Sequence, residues 1–384
     1  MPQSSRSKIK KKVQLMLDSG AFSAWNCGES LSIEDYIDYL KDYKQYFDSY
    51  VNLDVIPGKY GEKYTQKDVA NSASQSYENL QIIKAAGLSP LPVYHQGEDW
   101  SWLEKLLDDG ETHIGVSIKK DMAETRGQAL IKRQVRWLDQ AFTLLSNKNG
   151  KMLVKVHGFG ITSFPLMLRY PWWSVDSTSW SLQAGYGKIL VPHYVNGKPD
   201  YSKKPFSVVM SGRQQRWGSN KKSQFEALSP YLYECALKFL TEEVGVTAGQ
   251  ARYDDSVRRR AVLKCYVGFV DCEREFLFKH RFGIFGGSED REVPDLGIPS
   301  TYNLRLIYAT TVTSRSFSKI LTQASAWDRL LSYYDLRNID EKFLHHYITT
   351  GLHPPRKNKV TKRIKWEASS YTKNRRLSFM KRFD

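Results

Sequence analysis

Residues 169–180 read "RYPWWSVDSTSW": three of the chain's ten tryptophans and one acid, Asp176, among small hydroxyl residues. An apolar run of this kind belongs in a core, yet a core strand does not tolerate an isolated carboxylate, because burying one without a partner is costly. The end of a strand that opens onto a site tolerates it well. The same pattern recurs upstream, and that recurrence decides the fold. "VQLMLDSGAF" (13–22), "YVNLDVIP" (50–57), "PLPVYHQGED" (90–99), "HIGVSIK" (113–119) and "KMLVKVHGFG" (151–160) are short β-rich runs ending in Gly, Asp, Gln or Ser.

Helix-like segments fill the gaps. "SIEDYIDYLKDYKQYF" keeps Ile33, Tyr36, Ile37 and Leu40 at helical spacing, and "SQSYENLQIIKAAG" stops at Gly87. "WSWLEKLLDDG" and "QALIKRQVRWLDQAFTLLSNKNG" follow the next two strands. Strand–helix alternation with apolar strands predicts an α/β fold with a parallel sheet covered by helices. Six such strands favour a TIM-like (β/α) barrel over residues 13–200, closed by "KILVPHYV" (188–195) or "FSVVMSG" (206–212), with a doubly wound open sheet as the alternative. In a barrel the polar strand ends share one mouth, so Asp18, Asp54, Gln96, Ser117, His157 and Asp176 are expected to converge.

The second half, 201–384, reads as a largely helical, basic and aromatic-rich region, divided from the first around "NGKPDYSKKP". Residues 219–245 look helical, 258–280 fit helix or strand, and 325–351 predict one or two helices ending at Gly351. The formal net charge is +16, and residues 356–384 are dominated by Lys and Arg with Trp366, Tyr371 and Phe379 interleaved. Such a segment suits phosphate neutralisation combined with base stacking. In "MSGRQQRWGSNKK" (210–222), Arg213, Arg216, Lys221 and Lys222 flank Trp217, a second candidate contact for a nucleic-acid backbone. Trp172 and Trp173 are candidates for stacking on a displaced nucleotide, or for plain core packing.

Several classes are excluded or disfavoured. The chain has no apolar run of membrane-spanning length. Its basic start leads into an apolar stretch too short for a secretion signal, so a first strand and a cytoplasmic location are expected. Four scattered cysteines without a CxxC pair signal neither a disulfide framework nor an obvious zinc site.

The chemistry is carried by Asp18 in "LMLDSG", Asp54 in "VNLDVIP" and Asp176 in "WSVDST". Any one alone reads as a turn or helix cap; three in one repeating strand context point to a site. Gln96 adds hydrogen-bonding capacity, Gly97, Gly115 and Gly158 permit close backbone approach to a flat ligand, and Phe22 offers a stacking face. Together they describe a pocket for a donor- and acceptor-rich heterocycle, with carboxylates left over for catalysis.

In order and rough spacing, "LDSGAF", "LDVIP", "HQG", "IGVS", "KVHGFG" and "SVDSTSW" resemble the tRNA-guanine transglycosylase superfamily. The resemblance covers residues 13–180. It implies that Asp176 is a nucleophile and Asp18 a general acid/base. It further implies that Ser19, Asp54, Gln96, Gly97, Gly115, His157 and Gly158 surround the base and that Phe22 stacks on it. Ala21 stands where the family has a second glycine, and His157 where it has an apolar residue. The family's cysteine–histidine zinc cluster is missing; Cys235, Cys265, Cys272 and His280 are the nearest substitute, so no cofactor is expected. These departures are similar to the DpdA-type DNA-guanine transglycosylases of phages and bacterial genomic islands. That branch implies DNA, double-stranded or locally open, and a 7-deazaguanine such as preQ0 as partners. A tRNA-directed enzyme and a non-catalytic nucleic-acid-binding subunit of the same superfamily are the competing expectations.

Overall fold

The β-rich runs of the first half are strands: β1 (Gln14–Asp18), β2 (Ser49–Tyr50), β3 (Val93–His95), β4 (His113–Ser117), β5 (Lys155–Phe159) and β6 (Ser174–Ser177). In this computed structural model the described residues are 14–58, 62–118, 128–147, 149–161, 163–177, 179–211, 223–272, 305–310 and 344–349. Helices α1 (Ala21–Cys27) and α2 (Ile33–Tyr43) follow β1, and α3 (Gln66–Ala85) follows β2. The next three, α4 (Trp100–Asp108), α5 (Gln128–Leu144) and α6 (Phe164–Arg169), follow β3, β4 and β5. Short polar side chains start three of them. Ser32 accepts from the Asp35 amide, Thr65 and Asp68 form a reciprocal capping box, and Asp99 accepts from the Ser101 amide. Gly87, with φ 76°, carries the chain out of α3 through a left-handed conformation that glycine adopts without strain.

All eight strands of the main sheet run parallel, in the order β2-β1-β12-β11-β6-β5-β4-β3, where β11 is Arg305–Thr310 and β12 is Leu344–Thr349. This order follows the chain without the reversal that a doubly wound sheet requires. At its two ends, Asn52 N–H donates to Leu91 O and Leu91 N–H donates to Tyr50 O, both at 2.8 Å. The segment leaving β2 is therefore bonded to the segment entering β3.

Two expectations about the later chain are corrected. Residues 188–195 and 206–212 do not complete the main sheet: β7 (Lys188–Val191) pairs antiparallel with β10 (Phe206–Val209) in a separate two-stranded sheet. The chain between β7 and β10 is taken up by a hairpin of β8 (His193–Val195) and β9 (Lys198–Asp200), which leaves no helix to carry a parallel crossover. Asn196 (φ 50°) and Gly197 (φ 77°) form its turn, so the "NGKPD" stretch is a hairpin turn. The main sheet is not confined to residues 13–200, since β11 and β12 lie between β6 and β1. β12 also falls within the stretch expected to be helical, where Tyr347, Ile348 and Thr349 are strong strand formers.

Among the described residues from 179 to 272 helices predominate, as expected for the described part of 219–245. Helix α7 (Ser179–Gly185) precedes β7, and α8 (Pro230–Lys238) runs into a π-helical turn at Phe239–Val244. Helices α9 (Ala248–Tyr253) and α10 (Asp255–Asp271) follow, so the ambiguous run from residue 258 is helix as far as 271. Arg258 is buried at their junction, where its guanidinium donates to the carbonyls of Ala184 and Ala251.

Each strand divides its side chains by the two-residue period of a pleated chain. Ile114, Val116, Val156 and Val175 pack against Leu103, Leu138 and Phe142 of the covering helices. On the other face Met16, Val51, Leu91 and Val93 form a small apolar cluster with Phe159 against it. That second face carries the polar strand ends.

Candidate functional site

Parallel strands end on one side of a sheet, and Asp18, His95, Ser117 and Phe159 are the last residues of β1, β3, β4 and β5. Register places His95 beside Ser117 and Ser117 beside Phe159; one step back, Gly115, His157 and Ser174 form a row. Asp18, His95 and Asp176 each stand two residues beyond Met16, Val93 and Ser174, which keeps them on the same face. The apolar cluster of Met16, Val51, Leu91 and Val93 lies beneath Asp18 and His95, while Ser174 and His157 lie beneath Asp176.

Asp54, in the segment after β2, ties two strands together. Its Oδ2 accepts from His95 Nε2 at 2.9 Å, and its Oδ1 accepts from the Ser19 hydroxyl at 3.4 Å. Ser19 is fully buried and its own oxygen accepts from the Ala21 amide at 3.3 Å. On its far side His95 Nδ1 donates to Glu98 Oε1 at 2.9 Å. Burial resists charging this imidazole, but the attraction of Glu98 and the hydrogen bonds to Asp54 and Glu98 outweigh it, raising the ring to about 10. Next to them, Tyr36 donates to Val51 O at 2.5 Å; burial, then the charges of Asp18 and Asp54, keep its phenol protonated.

Asp176 is buried at the end of β6. Its Oδ1 accepts from the Gly160 amide at 2.7 Å, where Gly160 adopts φ 67° just past β5. His157, wholly buried, bonds the Ser174 hydroxyl through Nδ1 at 2.8 Å and brings Nε2 to 3.6 Å from the same Asp176 oxygen. The ring stands edge-on to Phe159, centroids 4.4 Å apart. A carboxylate held by one amide and approached by one imidazole nitrogen keeps its second oxygen for chemistry.

Sequence-derived candidates therefore divide. Ser19 and Asp54 meet, as do His157 and Asp176, and Asp18 lies on the same strand ends. Phe22 is 59% exposed on α1, its ring 5.7 Å from Trp25, so a flat ligand can reach it. Gln96 is half-buried, and its backbone N–H donates to Ser117 O at 2.9 Å. Gly97 turns the chain at φ 107° and its carbonyl accepts from Gln66 Nε2.

The glycine reading is corrected at two positions. A Cβ at Gly115 would lie 2.4 Å from Phe159 Cε2, and one at Gly158 would lie 2.8 Å from Ile161 Cδ1 and 3.0 Å from Trp172 Cε3. Both are small because side chains already fill the space. Trp172 is likewise corrected: it is fully buried, donates through Nε1 to Leu166 O at 3.0 Å, and meets Phe142 edge-on. It cannot touch a nucleic acid. Arg213, Arg216, Trp217, Lys221 and Lys222, and the basic segment 356–384, lie outside the described residues.

Among the described residues no group of three or more His, Cys, Asp or Glu is placed to hold a metal. Cys235 and Cys265 are buried free thiols, and burial pushes the Cys265 thiol well up, which opposes the thiolate that zinc needs. His280 lies outside the described residues. No helix among the described residues is long and apolar enough to cross a membrane.

The residues missed in sequence are His95 and Glu98. "HQGED" carries the signal, a His and a Glu three apart across a glycine, with Gln96 between them. Compared with known proteins, the chain matches no family model, no curated protein and no solved structure.

Proposed function

We propose that the chain is a DNA-guanine transglycosylase, exchanging guanine in DNA for a 7-deazaguanine such as preQ0, in the cytoplasm. The supporting fold reading is a closed (β/α)8 barrel. Eight parallel strands in chain order, the last beside the first, and the bonds between Asn52, Tyr50 and Leu91 favour closure over an open sheet. The observation that carries the activity is Asp176: a buried carboxylate at a strand end, steadied by the Gly160 amide, with His157 beside it.

Asp176 Oδ1 is held, so Oδ2 attacks C1′ of the target nucleotide. The C1′–N9 bond to guanine breaks as the C1′–O ester forms, and Asp18 delivers a proton to the departing base. Asp18 then removes the N9 proton of the incoming deazaguanine, whose nitrogen attacks C1′ and frees the Asp176 carboxylate. Two displacements at one anomeric carbon retain its configuration, and a carboxylate suits the role because it stabilises an oxocarbenium-like centre. Asp54 accepts from the N–H edge of the base, Gln96 faces its carbonyl edge, and Phe22 stacks on its plane. Turning the nucleotide out of a duplex costs a few kcal/mol, which the excess of basic residues helps to offset through phosphate contacts.

The test is to incubate the chain with labelled guanine, or a labelled 7-deazaguanine, together with DNA and tRNA. Label entering DNA supports the proposal. Label entering only tRNA replaces it with the tRNA-directed reaction, and no label in either polymer overturns it.

A further inference from the structure

We infer that His95 is a positioning residue: an imidazolium clamped between Asp54 and Glu98 that locks Asp54 as an acceptor-only carboxylate and thereby makes the site select a base edge presenting N–H donors. The identity of the ligand rests on the transglycosylase reading; the clamp itself does not.

The geometry asks for the extra proton. A neutral imidazole has one N–H and one lone pair. Here both ring nitrogens lie 2.9 Å from carboxylate oxygens, Nε2 from Asp54 and Nδ1 from Glu98. With both acids ionised, a neutral ring would set a nitrogen lone pair against an oxygen lone pair. The charge of Glu98 and the hydrogen bonds to Asp54 and Glu98 raise the ring to about 10 even against burial, in line with that geometry. Asp54, His95 and Glu98 face one another from the segment after β2, the end of β3 and the turn beyond it, and they sum to one negative charge.

Three anchors fix that charge in place. Glu98 is buried, and its carbonyl accepts from the Tyr94 hydroxyl at 3.0 Å, holding the far end of the row. Ser19 presses on the near end at Asp54 Oδ1. His95 occupies Asp54 Oδ2. Each carboxylate oxygen keeps a further lone pair, and neither can become a donor while the proton stays on the ring. A base offering a ring N–H and an exocyclic amino group satisfies such a carboxylate with two charge-assisted bonds. One offering a carbonyl at the amino position meets it lone pair to lone pair. Guanine is therefore preferred over hypoxanthine, which lacks the amino group, and xanthine, which bears the carbonyl, is rejected.

The clamp and the selectivity are tested separately on the full chain. Nitrogen-15 NMR of labelled histidine, with His95 assigned by its disappearance in His95→Gln, is expected to show both ring nitrogens protonated at about pH 8, where an ordinary histidine is neutral. A neutral His95 at that pH overturns the clamp. Calorimetric titration with guanine, hypoxanthine and xanthine is expected to give that order of affinity, with His95→Gln losing on the order of 10–100-fold for guanine and the preference flattening. Unchanged guanine affinity and selectivity in a folded His95→Gln overturns the positioning role. Should that variant not fold, Glu98→Gln is expected to lower the pH at which His95 loses its proton and to weaken guanine binding; no change in either overturns the inference. A parent chain that binds no guanine, with His95 still protonated at about pH 8, leaves the clamp standing and removes the transglycosylase reading beneath its selectivity.

Discussion

Two carboxylates in this site are held in opposite ways: Asp176 Oδ1 takes a neutral backbone amide, whereas Asp54 Oδ2 takes the His95 ring. In the proposed reaction the first charge is free to attack and the second is committed to its clamp. Replacing Asp176 by Asn keeps an oxygen for the Gly160 amide and removes the nucleophile. Base exchange, measured by label incorporation, is expected to fall on the order of 10³-fold or more with the thermal midpoint close to the parent's; full exchange in that variant would remove Asp176 from its role. His95 gives a prediction about stability. Its folded value, about 10, lies above the ordinary value near 6.5. Its stabilising contribution is therefore complete below the unfolded value and is lost progressively as pH rises through the folded one. The gap in melting temperature between parent and His95→Gln is expected to be widest below about pH 6.5 and to narrow towards pH 10; a gap that widens over that range contradicts the protonated clamp.

At the scale of elements, β5, α6 and β6 show why some site residues were legible and others were not. The apolar run with a polar end marks each strand, and an acid at such an end cannot be explained by packing, so Asp18, Asp54 and Asp176 stand out from sequence alone. A glycine or tryptophan carries no such contradiction. Gly158 and Trp172 fit a ligand site and a core equally well until the strand's facing is known, and the facing puts them against each other under α6. His95 was hidden for a related reason, since its partners come from two segments and only one lies nearby in sequence. The packing reading predicts that Gly158→Ala destabilises by about 1–3 kcal/mol and Trp172→Ala by about 3–5 kcal/mol. Both are read from urea unfolding midpoints at constant slope, with guanine affinity of the folded protein kept. Loss of guanine binding by a Gly158→Ala protein of parental stability would return that glycine to the site.

At the scale of the molecule, the sheet depends on residues remote in sequence. β1 pairs with β12 along five residues and with β2 along only two, while the second partner of β6 is β11. Nothing in the first half announces this, because β11 and β12 lie far along the chain from β1 and β6, and a strand's partner is a property of the tertiary fold. A chain ending at residue 200 would contain every catalytic candidate yet leave the inner edge of β1 and one edge of β6 open. Exposed edges of apolar parallel strands invite association, and this pair flanks Asp18 and Asp176. The truncated chain is expected to aggregate or to lack a cooperative thermal transition, judged by size-exclusion chromatography and calorimetry; a monomeric truncation with parental guanine affinity would show that the first six strands suffice. A second whole-molecule prediction follows from the charge of +16. Phosphate contacts release counterions, so log Kd for DNA is expected to rise linearly with log salt, at a slope of about 0.9 per phosphate contacted in duplex. Removing residues 356–384 is expected to lower that slope while leaving affinity for free guanine unchanged. Equal slopes with and without the segment would take it out of the DNA contact and place the charge that binds phosphate elsewhere on the chain.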